Sequence, residues 1–168
     1  AVYGSSGEDA FRWRPGSPPV VLPRVPLRVR GSATDVSGDG SRAVGFCNRA
    51  DGSSPRACLW NADNSVVDLG VLSGEVSSYA TAISLDGTTV IGDSGNAPWV
   101  WRASTGMVRL PDGVGVSDVS GDGRVIVGRA PAGQNQVPQA SVYDVEHGAR
   151  SLQRVLLEDF GINTVGVY

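Results

Sequence analysis

The sequence predicts an all-β, β-propeller-like fold: four four-stranded antiparallel units, closed by the C-terminal strand pairing with the first unit. Three observations carry this expectation. An aromatic residue precedes a leucine by nine positions four times, in WRPGSPPVVL (13–22), WNADNSVVDL (60–69), WRASTGMVRL (101–110) and YDVEHGARSL (143–152). A second pattern, S-x-D-G-x-x-x-x-G, recurs in register with it at 37–45, 84–92 and 120–128. Glycine (23) and proline (10) are frequent while charged residues reach only 18%, the composition of many short strands joined by turns. Self-similarity near forty residues points to stacked repeat units.

Each unit reads as four strands. Strand a is 33–37, 80–84 or 116–120. An Asp-Gly turn follows, as tight antiparallel hairpins prefer. Strand b is 42–47, 89–93 or 124–128, and the opening AVYG aligns Gly4 with Gly45, Gly92 and Gly128. Strand c carries the aromatic (10–13, 57–60, 98–101, 140–143) and strand d the leucine (20–22, 66–69, 107–110, 149–152). A turn of constant length between c and d explains the nine-residue interval. Strands b and c are apolar on both faces, so each sheet needs a neighbour on both sides. Radial stacking of four-stranded sheets satisfies that need, whereas a parallel β-helix lacks these hairpin signals.

The expected organisation is one repeat domain, 1–168, with units at about 1–31, 32–78, 79–114 and 115–161. The first unit lacks strand a, and INTVGVY (162–168) falls where a strand a should follow unit four. Pairing the two would close a ring and remove two free sheet edges. The competing reading is half of a larger ring, completed by a second copy. The stretch LQRVLLEDFGIN (152–163) has an apolar run long enough for a short helical turn, so unit four ends irregularly.

With 40% hydrophobic residues and a net charge of −3, the chain is neither disordered nor suited to non-specific nucleic-acid binding. No run is long enough for a membrane-spanning helix. The chain opens on Ala1 without an initiator methionine or a signal peptide, as a mature or excised piece would.

The segments AFRWRPGSPPVVLP, VSGDGSRAVG, LGVLSGE and GMVRLP resemble bacterial extracellular HAF repeats in order and spacing. The resemblance implies a secreted or cell-surface, propeller-like protein and supplies no catalytic residues. Departures are Tyr143 for the last tryptophan, Cys58 and Leu59 within ACLW, and the tail after Leu152.

Three sets of residues are candidates for chemistry. Cys47 ends strand b and Cys58 lies in strand c of the same unit, so the hairpin brings them together. A disulfide would suit a secreted protein and would contribute roughly 3 kcal/mol. Asp35, Ser37 and Asp39, with their copies Asp118, Ser120 and Asp122, place oxygen ligands at alternate positions, the pattern of a calcium loop. An EF-hand would continue to an acid at position twelve, where Phe46 and Arg129 stand, so Asp-Gly turns capped by Ser and Asp are the plainer reading. Arg24, Arg28 and Arg30 form a local positive stretch that could meet an anionic glycan. The single histidine, His147, falls in a c–d turn, and GDSGNA (92–97) matches a serine-protease segment by letters alone.

The leading functional expectation is a non-enzymatic extracellular or cell-surface module for binding or scaffolding, with a glycan, a surface protein or its own copies as partners, and no cofactor beyond calcium. The alternative is a polysaccharide-acting hydrolase or lyase using Asp35, Asp118 and Asp39.

Overall fold

The computed structural model describes residues 1–6, 9–130 and 139–164. Among these residues fifteen strands and one helix follow in order. The strands are β1 (Val2–Ser6), β2 (Asp9–Trp13), β3 (Val20–Val21), β4 (Arg30–Val36), β5 (Ala43–Asn48), β6 (Arg56–Trp60), β7 (Val66–Gly70), β8 (Tyr79–Ile83), β9 (Thr89–Ser94), β10 (Ala97–Arg102), β11 (Gly106–Arg109), β12 (Asp118–Val119), β13 (Val125–Ala130), β14 (Gln139–Asp144) and β15 (Gly148–Ser151). The helix is α1 (Leu152–Phe160). They form four antiparallel meanders: β1-β2-β3, β4-β5-β6-β7, β8-β9-β10-β11 and β12-β13-β14-β15.

The final glycine of the repeated motif has a specific steric cause. Strands β4 and β8 each carry a bulge, between Ala33 and Asp35 and between Ala80 and Ala82, which presses the backbone against the neighbouring strand. A Cβ at Gly45 would collide with the Ser32 carbonyl, and one at Gly92 with the Tyr79 carbonyl. Only glycine permits that approach. At Gly4 no strand crosses, and a Cβ would meet only the Phe11 ring.

The sheets bury one another in sequence. Between the first and second lie Ala10, Leu22, Val25, Ala43 and Trp60, with the Trp60 Nε1–H donating to the Pro23 carbonyl at 2.7 Å. Between the second and third lie Val44, Leu59, Ile83, Val90 and Trp99. Between the third and fourth lie Ile91, Val100, Leu110, Val119 and Ile126. Polar links cross the same junctions: Tyr3 to the Gly40 carbonyl, Arg42 to that of Gly87, and Arg102 to that of Gly123.

The four sheets do not close into a propeller, and this corrects the expected ring. The first sheet has three strands, not four. Residues Ile162–Thr164 are not in a strand, and 165–168 lie outside the described residues, so no terminal strand pairs with β1 among the described residues. The helical turn expected in 152–163 is a nine-residue helix with strong local signals. Ser151 caps its N-terminus by accepting from the Arg154 amide at 3.2 Å. Gly161, in the left-handed region at φ 68°, ends it with the paired bonds from Gly161 N to Leu157 O and from Ile162 N to Leu156 O. Arg154 bridges to Glu158 one turn on, and Arg150 of β15 docks the helix by donating to Asp159 at 2.9 Å. The helix packs against β14 and β15.

Candidate functional site

The two copies of the Asp/Ser/Asp pattern do not converge on one point. In each, the serine and second aspartate build a closed turn. Ser37 Oγ donates to Asp39 Oδ1 at 2.7 Å, and that same oxygen accepts from the Ser41 amide at 2.9 Å. Ser120 and Asp122 repeat the arrangement, with the Arg124 amide as the second donor. Ser84 and Asp86 do the same in the third sheet, although the sequence offered no calcium pattern there. These donors favour the ionised carboxylate. The Ser41 amide and Ser37 hydroxyl hold Asp39 down to about 2, and Asp86 and Asp122 are lowered by their own serines first.

The first aspartate of each copy is turned elsewhere. Asp35 accepts from its own Val36 amide and, through Oδ2, from Ile83 N of β8, both at 2.8 Å. It is thus a tie between the second and third sheets. Asp118 accepts from the Val119 amide at 2.8 Å in the same way. Among the described residues no group of three or more His, Cys, Asp or Glu gathers as metal ligands.

Cys47 and Cys58 are fully buried free thiols, which corrects the expected disulfide. The register explains their approach. Gly45 faces Cys58 and Cys47 faces Arg56, so the cysteines are diagonal rather than directly opposed. Their sulfurs lie 2.9 Å apart as a hydrogen-bonded pair. Burial pushes the Cys58 thiol up, and the bond to Cys58 lowers Cys47. A buried thiol of this kind packs as a small hydrophobe.

The arginine stretch is dispersed. Arg24 forms an ion pair with Asp9, Arg28 sits half-buried after the turn from Val25, and Arg30 opens β4 opposite Asn48. Ser94 of GDSGNA is buried, donating to the Ser77 carbonyl and accepting from the Leu72 amide. It serves as a loop clamp, and the one histidine lies in a different sheet.

What sequence reading missed is a groove of about 750 Å³ between the fourth sheet and α1. Val125, Val142, Val155 and Phe160 form its apolar lining, and Glu146, His147 and Arg150 stand at its polar margin. His147 donates its backbone amide to Asp144 Oδ1 at 2.7 Å, and its ring Nδ1 lies 2.9 Å from the same oxygen. The His147 amide leads the donors that lower Asp144. The groove follows from α1, which no repeat alignment contains. Burial also raises Asp93 of β9, a position filled by Phe46 and Arg129 in the other units and so invisible to motif reading.

No family model and no curated protein matches the chain. The chain is similar in fold to TolB from Acinetobacter baumannii, at TM-score 0.57 and 15% identity over 86% of this chain and 37% of that one. It is likewise similar to a structure described as TolB from Agrobacterium tumefaciens, at TM-score 0.59 and 15% identity over 85% of this chain and 55% of that one. The chain therefore spans little more than half, or less, of these solved relatives. The expected HAF-repeat identity, with its secreted, extracellular or cell-surface location, is corrected accordingly: the likeness runs to TolB structures and to no such repeat family. What the likeness establishes is a multi-sheet β fold related to TolB structures.

Proposed function

We propose that the chain is a protein-binding scaffold, one repeat domain over 1–168, rather than an enzyme. The observation that carries this reading is the contrast between its acids and its apolar surface. The carboxylates nominated for hydrolysis are held by turn and cross-sheet donors. Among them Asp39 is lowered by the Ser41 amide and the Ser37 hydroxyl, the opposite of what a general acid needs. The groove beside α1, in contrast, is apolar, open and rimmed by charge, the anatomy of a protein-docking surface.

A photo-crosslinking residue at Val125, in cells producing the chain, tests the reading. A covalent protein adduct is expected there and not from the same residue at Leu27. Absence of any protein adduct at Val125 contradicts it. So would cleavage of a polysaccharide by the purified protein that Asp35→Ala or Asp118→Ala abolishes while the fold is kept.

A further inference from the structure

One pair of repeat positions joins consecutive sheets side chain to side chain. The residue after the final glycine of the motif, in strand b, touches the residue that leads into strand a of the next sheet. Between the first and second sheets these are Ser5 and Ser32, whose hydroxyls are hydrogen-bonded at 2.8 Å. Between the second and third they are Phe46 and Tyr79, whose rings meet edge to face with centroids 5.0 Å apart. Between the third and fourth the aligned residues are Asp93 and Gly115. Glycine brings no side chain to this place, and the backbone keeps it so: a Cβ at 115 would collide with the Arg129 carbonyl. Asp93 thus lacks the partner that its equivalents have. It is half-buried, and burial alone raises its pKa, with no hydrogen bond or charge of the chain acting on it. Even Arg129, which flanks Gly115, leaves Asp93 unpaired among the described residues.

We propose that Asp93 and Tyr79 bind an alkylammonium group, the carboxylate accepting its N–H donors and the ring facing its charge. Three features select this ligand. A half-buried carboxylate without a partner is costly, and a cation relieves that cost. The chain has no lysine, and none of residues 7–8, 131–138 or 165–168 is basic, so the missing ammonium comes from outside. Tyr79 stands directly opposite Asp93 across β8–β9 and is 43% exposed. Opposed side chains of antiparallel strands have Cβ atoms about 5 Å apart, so a cation held by the carboxylate also meets the aromatic ring. A metal ion would need several oxygen ligands, whereas one carboxylate beside a ring suits an organic cation. A free amine or a lysine side chain of another protein carries that group.

The test is an amide NMR titration of the intact chain with n-butylammonium chloride at constant ionic strength, with n-butanol as the neutral control. Saturable shifts should centre on Tyr79, Asp93 and Gly115, and butanol should not produce them. Asp93→Asn keeps the size of the side chain and removes its charge, so affinity should fall at least about tenfold. Tyr79→Ala should weaken binding about two- to fivefold, while Tyr79→Phe, which keeps the ring, should bind as the wild type does. Should Tyr79→Ala misfold, loss in Asp93→Asn with retention in Tyr79→Phe decides the matter. No saturable shift, an equal response to butanol, or unchanged affinity in Asp93→Asn overturns the proposal. Nα-acetyl-lysine methylamide distinguishes the sources: tighter binding than n-butylammonium supports a protein lysine, weaker binding supports a free amine, and either supports the site. Neither Tyr79 nor Asp93 lines the groove beside α1, so this titration and the crosslink at Val125 fail independently.

Discussion

Strands β9 and β13 come from the same motif, SLDGTTVIG and SGDGRVIVG, and their positions in the fold differ. In β9, Val90 packs toward the second sheet and Ile91 toward the fourth, and both vanish from solvent. In β13, Ile126 is buried against the third sheet, but Val127 is exposed, with no further sheet packed on it among the described residues. Identical local chemistry therefore yields a core residue in one case and a surface residue in the other. A strand's own sequence sets its pleat and its turn; its neighbours set its burial.

That difference can be pressed with substitutions. Ile91→Ala should cost about 2–5 kcal/mol, because both the transferred methylenes and the cavity count, whereas Val127→Ala in dilute, monomeric protein should stay within about 0.5 kcal/mol. Urea denaturation of both variants measures the gap. Gly92→Ala drives a Cβ into the Tyr79 carbonyl and should cost about 3 kcal/mol. Gly4→Ala meets only the Phe11 ring and should be mild in the same assay. Asp35→Ala leaves the Ile83 amide of the next sheet without its carboxylate and should cost about 1.5–3 kcal/mol, while Asp118→Ala, with no sheet beyond to tie, should cost less than about 1 kcal/mol.

The acid response is subtler and common to three of the sheets. Asp39 titrates at about 2 in the folded chain against 3.8 as the ordinary value, and Asp86 and Asp122 are shifted the same way. Depressed carboxylates contribute stability that is complete above about pH 4 and is lost as pH falls through their folded values. Thermal melts between pH 5 and 2 should show this decline. Asp39→Asn should flatten part of it while lowering Tm slightly at pH 7.

Much of the local structure was legible because it depends on short-range chemistry. The nine-residue aromatic–leucine interval corresponds to c–d hairpins such as β6–β7, where Trp60 pairs with Val66 and Leu69 is buried. The Asp-Gly turns follow from Ser37, Asp39 and their copies. The apolar run of 152–163 made a helical turn legible, but not its extent, which is set by the Ser151 cap, the Arg154–Glu158 pair and the left-handed Gly161. Closure was not legible, because whether 162–164 pair with a distant strand is not written in the repeat motif. The cysteines show the same limit at smaller scale: hairpin proximity was readable, but the register that sets them on a diagonal was not. The groove depends on α1 packing beside the fourth sheet, so it could not be read from the motifs.

Thiol labelling of Val127→Cys beside Ile91→Cys, in native protein at low concentration, tests the serial burial of consecutive sheets most directly. Cys47 and Cys58 are buried and should stay silent. The account predicts rapid modification at position 127 and none at position 91 until the protein unfolds. Protection of position 127 even in dilute monomer, or ready labelling at position 91, would contradict it.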